Sequence, residues 1–202
     1  MHVLIAYGTS EGQTRKIAGF FADRLQAAGD AVTLHDVTRL PRDFDVGAFD
    51  AAVIAARVHA GSYQRAVANL VRTNLEVLDS MPNAFVSVSL AAAGHVPGDA
   101  ERTKRYVARL AARTGWSPKQ LAHVAGGRKY TAHNALSRWI LGMVDRHRYD
   151  TAQDHEFTDW TALAAFVDQV RTGFAGGMLG AGDGPLLPDA PQPPAAANDA
   201  GP

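Results

Sequence analysis

Apolar positions along this chain fall alternately into short strand-like runs and helically spaced faces, from the N-terminus to about residue 171. Val3–Tyr7 is apolar throughout and predicts a first strand. Thr14–Ala28 places Ile17, Phe20, Phe21 and Leu25 on one helical face, and Gly29 with Asp30 ends it. Ala31–Val37 alternates and predicts a second strand near a sheet edge. Phe49–Ala56 is continuously apolar, as a strand buried on both faces must be. A helix over Gln64–Leu78, a strand over Asn83–Leu90 and an amphipathic helix over Glu101–Thr114 follow. A short fifth strand lies within Lys119–Gly126, and Trp160–Arg171 forms a closing helix.

This alternation predicts an α/β domain built on a doubly wound parallel sheet. In such a sheet ligands sit beyond the carboxyl ends of the strands. Two segments break the rhythm. About thirty residues, Gly126–His155, separate the fifth strand from the closing helix, where roughly 2–6 are usual. From Gly176 onward Gly, Pro, Ala and Asp dominate, too little apolar surface to offset ordering. The expected organisation is one domain over 1–172, with an insertion near 126–155, and a disordered tail over 173–202.

The stretch between the first strand and the first helix carries the chemistry. "YGTSEGQTRKIA", Tyr7–Ala18, is rich in hydroxyls and backbone N–H groups and has no cation before Arg15. It faces a helix N-terminus, which favours an anion. Gln13 stands where a Walker A loop needs Lys, and Gly8 and Gly12 do not complete G-x-G-x-x-G. The pattern suits a single phosphate held by amides and by Thr9, Ser10 and Thr14, with Glu11 turned outward. The alternative is an ordinary helix cap at Ser10 or Thr14.

Composition narrows the classes. Apolar residues make up 47% of the 202, and 20 Lys+Arg balance 20 Asp+Glu, so no global field draws the protein to nucleic acid. With no Cys there is no disulfide, thiol nucleophile or cysteine-ligated cluster. None of the eight histidines pairs with another at zinc-site spacing, so no metal is expected. No apolar run reaches the roughly 20 residues of a membrane span, and no signal peptide is apparent. A cytoplasmic protein is expected.

Tyr7–Ala18 resembles the FMN-phosphate signature of flavodoxins, an aromatic followed by T/S-x-x-G-x-T-x-x-x-A, with Phe21 where an aliphatic is usual. That resemblance implies a flavodoxin-like five-stranded sheet of order 2-1-3-4-5, with the insertion after strand 5, and FMN as cofactor. "GQTRKIA", "MPNAFVSVSL", "VAGGRKY" and "FTDW" also run in the order and spacing found in the menaquinone-dependent protoporphyrinogen oxidases of bacteria. The similarity covers roughly residues 1–172. It implies a protoporphyrinogen-like tetrapyrrole as reductant and a quinone as acceptor. The second loop, "RVHAGSY", departs from that family's S-I-R-Y-G-x-Y, and the third, "LAAAGH", lacks an aromatic.

The implied cofactor contacts are Thr9, Ser10, Glu11, Gly12, Gln13 and Thr14 in the first loop. Ala56, Arg57, Val58, His59, Ala60 and Gly61 form the second, and Ser89, Leu90, Ala91, Ala92, Ala93 and Gly94 the third. Arg57 and His59 are the candidates for flavin or carboxylate contacts, and no residue stands out as a catalytic acid or base. In the insertion, Leu136, Trp139, Ile140, Met143 and Val144 share a helical face rimmed by Arg128, Lys129, Arg138, Arg146 and Arg148. Such a segment suits an anionic membrane surface or substrate carboxylates, or packs on its own domain. Three other functions fit less well: a flavodoxin-type electron carrier, which would be more acidic, an NAD(P)H:quinone reductase, and a flavin-free scaffold.

Overall fold

A computed structural model describes residues 1–9, 12–41, 43–128 and 155–176. Ser10, Glu11, Lys129, Arg138, Arg146, Arg148 and the apolar face of the insertion lie outside the described residues, as does the tail beyond Gly176.

Five parallel strands form the sheet: β1 (His2–Gly8), β2 (Ala31–Asp36), β3 (Ala51–His59), β5 (Asn83–Ser89) and β6 (Leu121–Ala125), in the order β2-β1-β3-β5-β6. Counting only these five, this is the order 2-1-3-4-5. A short β4 (Ser62–Tyr63) pairs antiparallel with the end of β3. Alternation along the strands sorts the core. Val3, Ile5, Val53 and Val86 face α1 (Gln13–Ala27) and α5 (Trp160–Ala175). Leu4, Ile54 and Phe85 face α2 (Arg65–Thr73), α3 (Leu75–Ser80) and α4 (Asp99–Thr114). Both sheet faces are covered, which explains the unbroken apolar run of β3. β2 lies at the edge and none of its residues is fully buried.

Three boundaries differ from the sequence reading. The single helix expected over Gln64–Leu78 is two, because Asn74 turns its side-chain amide back onto the Leu70 carbonyl at 2.8 Å and interrupts the helix. The closing helix continues to Ala175 and takes Gly173 and Phe174 into the core, so the folded unit passes the expected limit at 172. β3 runs three residues beyond Ala56, because it folds back on itself as a hairpin with β4. At the base of the insertion, β7 (Gly127–Arg128) pairs antiparallel with β8 (His155–Glu156).

Candidate functional site

Register brings the three implied loops to one edge of the sheet. Gly8 of β1 lies beside Ala56 of β3, which lies beside Ser87 of β5. The segments after β1, β3 and β5 therefore leave the sheet side by side at its carboxyl edge.

The first loop fits an anion. Gly12 caps α1 with φ 88°, a conformation that L side chains rarely adopt, and its own N–H is held by the Thr9 hydroxyl at 3.0 Å. Gly12 has no side chain with which to cap the helix, and among the described residues the first turn holds no acid. The first helical bond runs from the Lys16 N–H to the Gly12 carbonyl, so the N–H groups before it have no partner within the helix. Thr14 is fully buried, and its hydroxyl has no partner among the described residues. The expected alternative of a Thr14 cap is thus not what forms. A buried hydroxyl without a partner among the described residues, beside a positive helix end, suits the phosphate of FMN.

A clamp that sequence reasoning missed holds this loop. Gln13 Nε2 donates to the Thr158 hydroxyl at 2.9 Å, and that hydroxyl donates to the Ala125 carbonyl at 2.8 Å. Thr158 thereby joins the first loop to the end of β6, and next to it Asp159 caps α5 by accepting from the Ala162 N–H. Phe157 lies against His95 with ring centroids 5.2 Å apart, which brings the same segment to the residue after the third loop.

The second loop is a hairpin. Ala60 and Gly61 both adopt positive φ, 48° and 79°, as a tight two-residue turn requires. Gly61 is needed for that turn, and Arg109 of α4 donates to its carbonyl at 3.1 Å. Tyr63 anchors the returning strand, its buried hydroxyl 2.7 Å from Ser87 Oγ, and burial holds the phenol well above its usual pKa. Ala56 is a core residue, whereas Arg57 and Val58 are half-buried and His59 is exposed. In the third loop Ser89 Oγ accepts from the Ala92 N–H at 3.2 Å, Ala91 and Ala93 are buried, and Gly94 is exposed.

The family model of the flavodoxin domain matches residues 4–154. This chain belongs to the flavodoxin domain family. Among curated proteins, this flavodoxin-family chain is 28% identical over 173 residues to protoporphyrinogen IX dehydrogenase (quinone) of Escherichia coli strain K12, covering 84% of the chain and 94% of that protein. The protein of the same name from Escherichia coli O157:H7 matches with the same identity and coverage. Among solved structures, a flavodoxin of Streptococcus pneumonia TIGR4 aligns over 88% of the chain and 100% of its own length, at 13% identity and TM-score 0.49.

A cleft of about 330 Å³ opens on the β2 side of the phosphate loop, away from β3 and β5. Tyr7, Thr9 and Gly12 line it from the β1 side, Arg15 from α1, and His35, Asp36 and Arg39 from the end of β2 and the turn after it. Neither arginine has a carboxylate partner among the described residues. No described helix is long and apolar enough to cross a membrane.

Proposed function

We propose that this chain is an FMN-dependent oxidoreductase that passes electrons from a protoporphyrinogen-like tetrapyrrole to a quinone. The observation that carries the cofactor is the buried hydroxyl of Thr14, without a partner among the described residues, in the first turn of α1. Support for the reaction comes from the name of the Escherichia coli relative and from the length of the match.

Thr9, Gly12, Gln13 and Thr14 would hold the phosphate, with Ser10 and Glu11 completing the loop. Arg57, Val58, His59, Ala60 and Gly61 of the hairpin, and Ser89, Leu90, Ala92 and Gly94 of the third loop, would flank the ring. When bound, FMN supplies the hydride and electron chemistry that no side chain here can. The chain's part is to position the ring, and Arg57 and His59 bring cationic or proton-bearing groups to its edge. Neither flanking loop offers Trp or Tyr for stacking at the expected contacts, so one ring face is left to a bulky reductant or a quinone.

Arg128, Lys129, Arg138, Arg146 and Arg148 are proposed to hold substrate carboxylates or an anionic membrane surface, which places the protein peripherally on the inner face of the cell membrane. Each such cation is worth about 1 kcal/mol near that surface.

The test begins with the colour of the purified protein and the identity of its released flavin. Protoporphyrinogen is then offered with a menaquinone analogue and, separately, NADPH with the same quinone. Turnover only with NADPH would replace this reading with an NAD(P)H:quinone reductase. Arg138→Gln, Arg146→Gln and Arg148→Gln together should lower both vesicle co-sedimentation at low salt and quinone-linked turnover, with FMN content unchanged. Equal turnover in that triple variant would remove the insertion from the substrate and membrane roles.

A further inference from the structure

The β2-side cleft shares Thr9 and Gly12 with the proposed phosphate seat and runs from there toward the end of β2, away from the proposed ring site. We propose that it binds the phosphorylated ribose of a nucleotide. Arg15 and Arg39 line it without carboxylate partners among the described residues, so their charge is available to a phosphate. Asp36 supplies the complementary acceptor. It is the last residue of β2 and lies in register beside Tyr7 of β1. Its Oδ1 accepts from both the N–H and the hydroxyl of Thr38, at 2.9 and 2.7 Å, which fixes the carboxylate and leaves Oδ2 for a ligand hydroxyl.

The arrangement parallels that of dinucleotide-binding doubly wound sheets, where phosphate sits over the turn after the first strand and an acid about 20 residues further on takes a ribose hydroxyl. Arginine at that position accommodates a further phosphate. A volume of about 330 Å³ is at the lower end of small-molecule sites, enough for a nucleoside-sized group. Nothing lining the cleft selects a base, so the recognised chemistry is ribose and phosphate. Two sources share it: the adenylate half of a flavin dinucleotide, and a separate nucleotide such as a nicotinamide dinucleotide.

Calorimetric titration of the full chain with AMP, in saturating FMN and low salt, tests this. With the helix-end seat filled, any saturable heat reads the cleft. Wild type should bind one AMP, and 2′-deoxy-AMP should bind several-fold more weakly. Asp36→Asn keeps the acceptor for Thr38 and replaces only the free oxygen, and it should weaken AMP about tenfold, the value of one good hydrogen bond. Arg15→Gln with Arg39→Gln should weaken it at least as much. If the protein takes no FMN, only AMP heat that falls with Asp36→Asn and with Arg39→Gln reads the cleft, because both residues lie outside the phosphate loop, so the two readings fail separately. Reconstitution with FAD separates the sources: AMP binding is lost if the dinucleotide's own adenylate fills the cleft, and retained if a separate nucleotide does. No saturable binding up to about 5 mM AMP, a range of weak nucleotide affinity, overturns the proposal. So does binding to the double arginine variant as tight as to wild type.

Discussion

Replacing Thr14 by Val should act in opposite directions with and without flavin. The residue is 0% exposed and its hydroxyl has no partner among the described residues. Valine has almost the same shape and a similar helix propensity. In the flavin-free protein the change removes an unsatisfied buried polar group, whose burial costs about 1–3 kcal/mol. The flavin-free variant should therefore be as stable as wild type or up to about 1 kcal/mol more stable, since a buried water can offset part of that cost. With a phosphate in place, the same hydroxyl donates a charge-assisted bond worth about 1.5–3 kcal/mol. At about 1.4 kcal/mol per tenfold, the FMN dissociation constant should rise about 10- to 100-fold. Urea unfolding of the stripped protein, followed by tryptophan emission, gives the first quantity. Quenching of FMN fluorescence on titration gives the second. Thr14→Ser, which keeps the hydroxyl, should bind FMN nearly as wild type does. A variant that loses more than about 1 kcal/mol without flavin yet keeps its FMN affinity would refute the reasoning, because the hydroxyl would then be serving the fold.

Thr158→Val removes both bonds of the clamp between Gln13 and Ala125, and should cost about 2 kcal/mol in urea unfolding at about 1 kcal/mol per bond, with weaker FMN binding that Thr158→Ser restores. His123 is buried on β6, and burial, with Lys104 nearby, holds its pKa below the ordinary value; the unfolded chain therefore takes up a proton first as pH falls below about 6.5. Stability should drop in that acid window, and urea midpoints at pH 5 and 7.5 should differ less in His123→Gln than in wild type. Ending the chain after Gly176 keeps all of α5, including the buried Phe174, and should leave the melting temperature and flavin content unchanged.

The parts of the fold legible in the sequence were those set by local period. Unbroken apolar runs in β1 and β3, and helical spacing in α1, need no knowledge of distant residues. The edge position of β2 was legible because its residues alternate. The loop after β1 stood out in the sequence because the phosphate seat proposed for it needs residue types that an ordinary turn does not. β4 was not, since two residues carry no period, although Ala60-Gly61 between Val58 and Tyr63 is a hairpin signal of the weaker kind. Thr158 was invisible to local reasoning because its partner Gln13 is 145 residues away. Asp36 and Arg39 looked like the end of a strand and its turn, and only the fold sets them beside Arg15.

These long-range contacts share a physical consequence. Loops at the carboxyl edge of a parallel sheet have no strand partner of their own, and ordering one residue costs about 1–2 kcal/mol. Here the first two loops are tied to remote elements and the third to its own start. Thr158 ties the first to β6, and Ser89 folds the third onto itself. Arg109 and the Tyr63–Ser87 pair hold the second, whose tip keeps Ala60 at a φ that a non-glycine residue adopts only under constraint. The ordering cost is met when the domain folds, so a ligand entering between the loops need not meet it again. Thr14 is the counterpart of that arrangement: a buried hydroxyl without a partner among the described residues, at the helix end where we propose that the phosphate sits.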